Sequence, residues 1–231
     1  MTDPHQRLQD ALDALDTAFA PFIAQPFTPG GCTYCYTEED FAALAGHPDQ
    51  VPEDLVGLVA FEGSDHWDDF HSQYRRMTPR IVRLMVTGEQ VGPDHSMVAS
   101  RLVTAEWRDW PRPEREALEA VWHAWWRKIL HEHPGTESVF EALEVISMCM
   151  GTLEPWLTIW AGTRTEAADR HLFDMLEGWL FEWDLAFLEF GFYNELDAAS
   201  ELVPWLLSLE EGRIDPLQLA EFERMIAYAD C

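Results

Sequence analysis

Apolar residues recur along most of this chain at spacings of three and four, the period of a helix with one buried face. Leu8, Leu12, Leu15, Phe19 and Phe22 draw the first stripe, on a helix that starts near Pro4. A wider stripe runs through Leu118, Val121, Trp122, Trp125, Trp126, Ile129 and Leu130. Pro111 and Pro113 stand at the start of that segment and Pro134-Gly135 at its end, as helix punctuation requires. Leu172, Leu176, Trp179, Trp183, Ala186 and Phe190 form a third stripe, closed by Gly191. Shorter helices are predicted over 37–46, 52–62, 66–76, 79–87, 95–105, 137–149, 153–161, 194–209 and 215–229. Thr37, with Asp40 three residues on, is close to a capping box, and Pro79 should stop or kink the helix it meets. No run alternates β-branched and polar residues between turn signals, so no strand is predicted.

This pattern predicts an all-α protein, a single domain over 1–231 with about eleven short helices. Helix pairs of this size suit a HEAT-like array or an irregular helical bundle, and no clean sequence period singles out the array. The long irregular segment is Gln25–Tyr36, with Pro26, Pro29, Gly30 and Gly31 ahead of a cysteine pair. A stretch of that length inside a compact domain is a functional loop or a tether.

Charge changes the picture. The chain carries a formal net charge of -27 over 231 residues, yet 47% of it is apolar, with 11 Trp and 13 Phe. Acidic disordered chains lack such aromatics, so the acids are read as a solvated surface around a packed interior. They are unevenly placed: residues 1–65 hold twelve acids and one base, and residues 136–231 hold twenty and four. Residues 66–135 balance at ten of each. Such a field repels nucleic acid and anionic membrane and attracts a basic protein. The N-terminus shows no signal-peptide pattern, and acids interrupt the most apolar segment, Leu172–Phe192, so a cytoplasmic protein is expected.

Several clusters could carry chemistry. Cys32-Thr33-Tyr34-Cys35 has the spacing of two thiolates on one metal ion, zinc being the natural choice, or of a redox dithiol. A thioredoxin-type dithiol needs a preceding strand, and none is predicted. Zinc needs further ligands; His66 and His71 are the nearest candidates, in the polar block His66-Trp67-Asp68-Asp69-Phe70-His71. Asp68 and His71, three apart, would share a helix face as an acid–base or metal pair. The chain contains no Glu-x-x-His, which excludes a carboxylate-bridged di-iron bundle. Arg76, Arg80 and Arg83 could line one helix face and hold a phosphate or carboxylate, or pair internally with acids. Trp107, Arg108 and Trp110 fall on a connection, where they could anchor a partner. His131 and His133 could ligate a metal or complement a helix C-terminus. Cys149 reads as core and Cys231 is terminal. Gly-rich phosphate loops, Gly-x-Ser-x-Gly elbows and His-Glu-x-x-His are absent from the sequence.

The early Cys32/Cys35 pair precedes a block of Trp67, Asp69, Phe70, Pro79 and Arg80. Trp110, Pro111, Glu114 and Arg115 then open a helix. Over roughly its first half the chain thereby resembles a set of bacterial all-helical proteins built on the same blocks. The resemblance implies a helical fold and no assigned activity. Two functions follow from the residues. The first is an acidic protein-binding module of the immunity, inhibitor or adaptor type that docks a basic partner. The alternative is a metal-dependent or small-molecule enzyme whose site joins the Cys32/Cys35 loop to the His66–His71 helix. A homo-oligomer packed through exposed aromatics is a third reading.

Overall fold

The computed structural model describes residues 3–88, 95–135, 138–182, 185–210 and 212–229. Trp183 and Cys231 lie outside the described residues. Eleven α-helices occur among the described residues, so the protein is all-α as its periodicity predicts. Contacts cluster into two compact units, Met1–Trp125 and Trp126–Cys231, within the span read from the sequence as one domain.

The first unit contains α1 (Pro4–Ile23), α2 (Glu38–Ala45), α3 (Glu53–Phe61), α4 (Phe70–Val86), α5 (His95–Thr104) and most of α6 (Arg112–Ile129). Leu8, Leu12, Leu15, Phe19 and Ile23 bury the face of α1 that its stripe marks out. Phe22 is only half-buried and instead carries the Arg75 guanidinium over its ring at 3.8 Å. The capping box at α2 forms as its residues predict, Thr37 and Asp40 each closing on the other's backbone. The central element is α4, which packs against α1, α3 and α5. Helix α4 continues through Pro79, correcting the expectation of two separate helices over 66–76 and 79–87. An interior proline costs about 3 kcal/mol. Met77, Ile81, Val82 and Met85 are all fully buried around it, and their burial outweighs that cost.

The second unit contains α7 (Val139–Met150), α8 (Glu154–Gly162), α9 (Glu166–Glu182), α10 (Ala199–Ser208) and α11 (Pro216–Ala229). Its core stacks Trp126 against Trp160 edge to face at 5.4 Å, with the two indole N–H groups donating to the carbonyls of Trp156 and Ala168. The third stripe does not stay helical to Gly191. It gives way to a short 3-10 turn, Leu185–Phe187, and a two-strand hairpin, β1 (Glu189–Phe190) and β2 (Leu196–Asp197). That hairpin corrects the expectation of no strand and delays α10 to Ala199.

A carboxylate from α10 caps α8. Glu201 Oε2 accepts from the Thr152 hydroxyl (2.8 Å), Leu153 N–H (3.1 Å) and Glu154 N–H (2.8 Å), three donors on one oxygen. Glu201→Ala is expected to lower stability by about 1–2 kcal/mol in urea unfolding, because Thr152 alone remains to cap the helix.

His171 is buried, and its Nε2 stands 3.1 Å from the Ile129 carbonyl and 2.7 Å from that of Glu132. Two carbonyl acceptors require a proton on Nε2. Burial holds its pKa below the ordinary histidine value, with the Glu132 carbonyl opposing, the neighbouring His133 lowering it further and Asp174 opposing. The unfolded chain therefore takes up this proton before the folded one does. The stability is present above about pH 6.5 and falls as pH drops below it. His171→Gln keeps a donor and removes the titration, so its urea midpoint is expected to fall less steeply than wild type between pH 6.5 and 5.

Candidate metal centre

The centre starts from two glycines. Gly31 bridges antiparallel to Trp67, flanked by Cys32 N–H to the His66 carbonyl (2.9 Å) and Asp68 N–H to the Gly30 carbonyl (2.9 Å). A Cβ at Gly31 would collide with the His66 carbonyl oxygen, and one at Gly30 with the Asp68 carboxylate. At Gly31, where the obstacle is backbone, only glycine lets the two segments approach so closely, whereas the Asp68 side chain could move away from position 30. The consequence is to lay the cysteine turn beside His66. That turn is tight: Cys35 N–H and Tyr36 N–H both donate to the Cys32 carbonyl, at 3.1 and 3.0 Å.

One ligand atom each from Cys32, Cys35 and His66 lies within 4.8 Å of the others. Ligand atoms on a tetrahedral zinc stand about 3.5–3.8 Å apart, so the turn would have to close slightly for all three to reach one ion. Cys32 and His66 are half-buried and Cys35 is exposed. Both cysteines are free thiols. The backbone N–H of Cys35, then that of Tyr34 and the Cys35 thiol, donate to Cys32 sulfur and hold its pKa below the ordinary thiol value, against burial and the Glu62 charge. Cys35 moves the other way, raised by the hydrogen bond its thiol gives to Cys32, by burial and by the charges of Cys32 and Glu62. The two thiols are thus shifted in opposite directions by the hydrogen bond between them, and a metal ion on the pair would take the place of that proton.

Two further groups complete the surroundings. Glu62, at the end of α3, places Oε2 3.5 Å from His66 Nδ1, and that ring nitrogen is buried without a hydrogen bond. A carboxylate beside a histidine ring nitrogen is the usual outer partner of a metal-bound imidazole. The Tyr36 ring stacks on Trp67 at 4.5 Å, and the Tyr36 hydroxyl is also buried without a partner. Burial, then the Glu62 and cysteine charges, raise its pKa, so it stays protonated beside the site. Sequence reasoning missed Glu62 and Tyr36. The four-residue Glu62–His66 spacing was the available signal for the first.

No family model, curated protein or solved structure matches this chain. Its chemistry is therefore read from its own residues.

His71 is not part of the centre. The block from His66 to His71 is not one helix, because α4 begins only at Phe70, with Asp69 as its N-cap. His66 ends a 3-10 turn, Ser64–His66, while His71 Nδ1 lies 3.8 Å from Glu106 in an open cleft with Ser72, Arg75 and Asp109. The arginine trio does not converge on an anion site either. Arg76 is buried and donates to the carbonyls of Ile23 (2.6 Å) and Gly46 (3.0 Å). Arg80 faces Glu53 at 3.5 Å, and Arg83 faces Asp16 and Asp13.

The proposed partner anchors Trp107 and Trp110 are core residues. Both are under one-tenth exposed, Trp110 packing edge to face on Phe19 at 5.6 Å and donating Nε1–H to the Ala105 carbonyl at 3.1 Å. Arg108 alone of that trio is exposed, over the Trp107 ring at 6.0 Å. His131 closes on the Arg127 carbonyl and His133 on Asp174, so they point to different partners.

Proposed function

We propose that this chain is a zinc-binding protein whose ion is held by Cys32, Cys35 and His66. The observation that carries the reading is the convergence of two sulfurs and an imidazole nitrogen within 4.8 Å, in a chain with no other such group among its described residues. Thiolate and imidazole ligands together favour zinc over calcium or magnesium, which take oxygen. The ion would fasten the Gln25–Tyr36 loop to the junction between α3 and α4. Three protein ligands leave one tetrahedral position, open to water, to Glu62 or to an exogenous ligand. Reduced thiols at such a centre suit a reducing compartment, the cytoplasm.

The test is metal content of the full chain, made without a histidine tag, by elemental mass spectrometry before and after chelation. About one zinc per chain, with a lower melting temperature after chelation and recovery on zinc addition, supports the proposal. A chain that neither retains zinc nor melts differently with it would end it.

A second reading, an acidic exterior that draws a basic partner protein and repels nucleic acid and anionic membrane, is favoured by how the cations are used. Arg75 closes on Glu114, Arg80 on Glu53, Arg83 on Asp16, Arg112 on Glu116, Arg164 on Glu210 and Arg213 on Asp169. These six bases are taken up by carboxylates of the same chain, and 42 acids against 15 bases leave many carboxylates over. Among the described residues no helix is long and apolar enough to cross a membrane.

A further inference from the structure

The β1–β2 turn in the C-terminal unit holds two adjacent aromatic residues outward on a fixed backbone. Phe192 is 56% exposed and Tyr193 63%, their rings packed edge to face at 4.9 Å. Nothing about this turn is loose. Gly191 sits at φ +99, where a side chain would collide with Glu195 and crowd Met148. Its N–H donates to Glu144 Oε1 on α7 at 2.8 Å. Asn194, at φ 57, returns its N–H to the Gly191 carbonyl at 3.0 Å. Tyr193 N–H donates to Glu195 Oε2 at 2.8 Å. Exposed aromatics lose free energy to hydration, and a backbone that is already ordered spares a partner the cost of ordering it. Around them stand exposed Glu189, Glu195 and Asp197, the first and last paired across the two strands.

Cations find few rivals here. The four arginines beyond residue 136 all pair with acids: Arg164 with Glu210, Arg170 with Asp174, Arg213 with Asp169 and Arg224 with Glu221. Two π faces within a rim of carboxylates match a guanidinium or ammonium group, which binds ring faces and carboxylates together. We propose that this turn docks an arginine- or lysine-rich segment of a partner protein. The proposal rests on the acidic-exterior reading, gives that reading a location, and is independent of the metal centre.

The test is fluorescence anisotropy of labelled octa-arginine against the full chain, at low and high salt. The double variant Phe192→Ser/Tyr193→Ser has the same net charge as wild type. It is expected to bind roughly tenfold more weakly while keeping its circular dichroism and zinc content. Glu189→Lys, which leaves both rings in place, is expected to weaken binding as well and to flatten its salt dependence. Equal affinity in wild type and the double variant overturns the placement at the turn and leaves the acidic exterior standing. Wild type that does not bind at low salt overturns both. A wild-type dimer in sedimentation that the double variant abolishes assigns the aromatics to a second copy of the chain, and that too overturns the proposal.

Discussion

Cys32→Ser or Cys35→Ser is expected to reduce bound zinc from about one per chain to below one-tenth. Serine keeps the shape of the side chain but cannot supply a thiolate, so the change acts chiefly on ligation. His66→Ala is expected to weaken zinc by at least a hundredfold in competition with a chromophoric chelator, whereas His71→Ala leaves it unchanged. Stability should follow occupancy. Zinc at one hundred times its Kd adds about 2.7 kcal/mol to the folded form. For a unit of this size that corresponds to roughly 10 °C in melting temperature, lost in the serine variants. Cys149→Ala, in the buried face of α7, alters packing without touching the centre and separates the two effects.

Arg75→Ala is expected to destabilise the N-terminal unit strongly without touching the metal centre. The guanidinium meets Glu114 through two bonds, Nε to Oε2 at 2.7 Å and Nη2 to Oε1 at 2.6 Å. The Glu114 side chain is 6% exposed, so it depends on this fork for its solvation. Removing one partner of a buried pair costs about 3–5 kcal/mol, because the other charge is left in a poor solvent. Loss of the ring contact with Phe22 adds to this. Arg75→Lys keeps the charge but neither the fork nor the stacking, and should fall between alanine and wild type. Arg75→Met with Glu114→Met removes both charges at similar volume and is expected to recover most of the loss. Urea unfolding of the four proteins checks the order. An alanine variant within 1 kcal/mol of wild type would mean that water reaches Glu114.

How far the sequence carried depends on the range of the force involved. The stripe on α1, Phe22 apart, and the capping box of Thr37 and Asp40 are local patterns, and both formed. Pro79 is also a local signal, but it lost to the burial of Met77, Ile81, Val82 and Met85, which depends on helices distant in the chain. The β1–β2 hairpin has strands of two residues, too short for alternation to show, and Glu144 ties its turn to α7 from 47 positions away. Trp107 and Trp110 sit on a connection where exposure was expected. The contact that covers Trp110 comes from Phe19, far earlier in the chain.

The centre divides the same way. Cys32 and Cys35 were legible from their spacing alone. That His66 and not His71 lies beside the cysteine pair was not, because it depends on where α4 starts and on the Gly31–Trp67 bridge. Arg76, Arg80 and Arg83 do share a helix. Nothing in their spacing tells that one ends on carbonyls and the other two on carboxylates of different elements.

X-ray absorption at the zinc edge, on the full chain loaded with one equivalent, tests the central claim most directly. Two sulfurs at about 2.3 Å and one or two nitrogen or oxygen atoms at about 2.0–2.1 Å are expected, with one sulfur lost in Cys35→Ser. A shell of oxygen and nitrogen alone, or a sulfur count unmoved by that substitution, would contradict ligation by Cys32, Cys35 and His66.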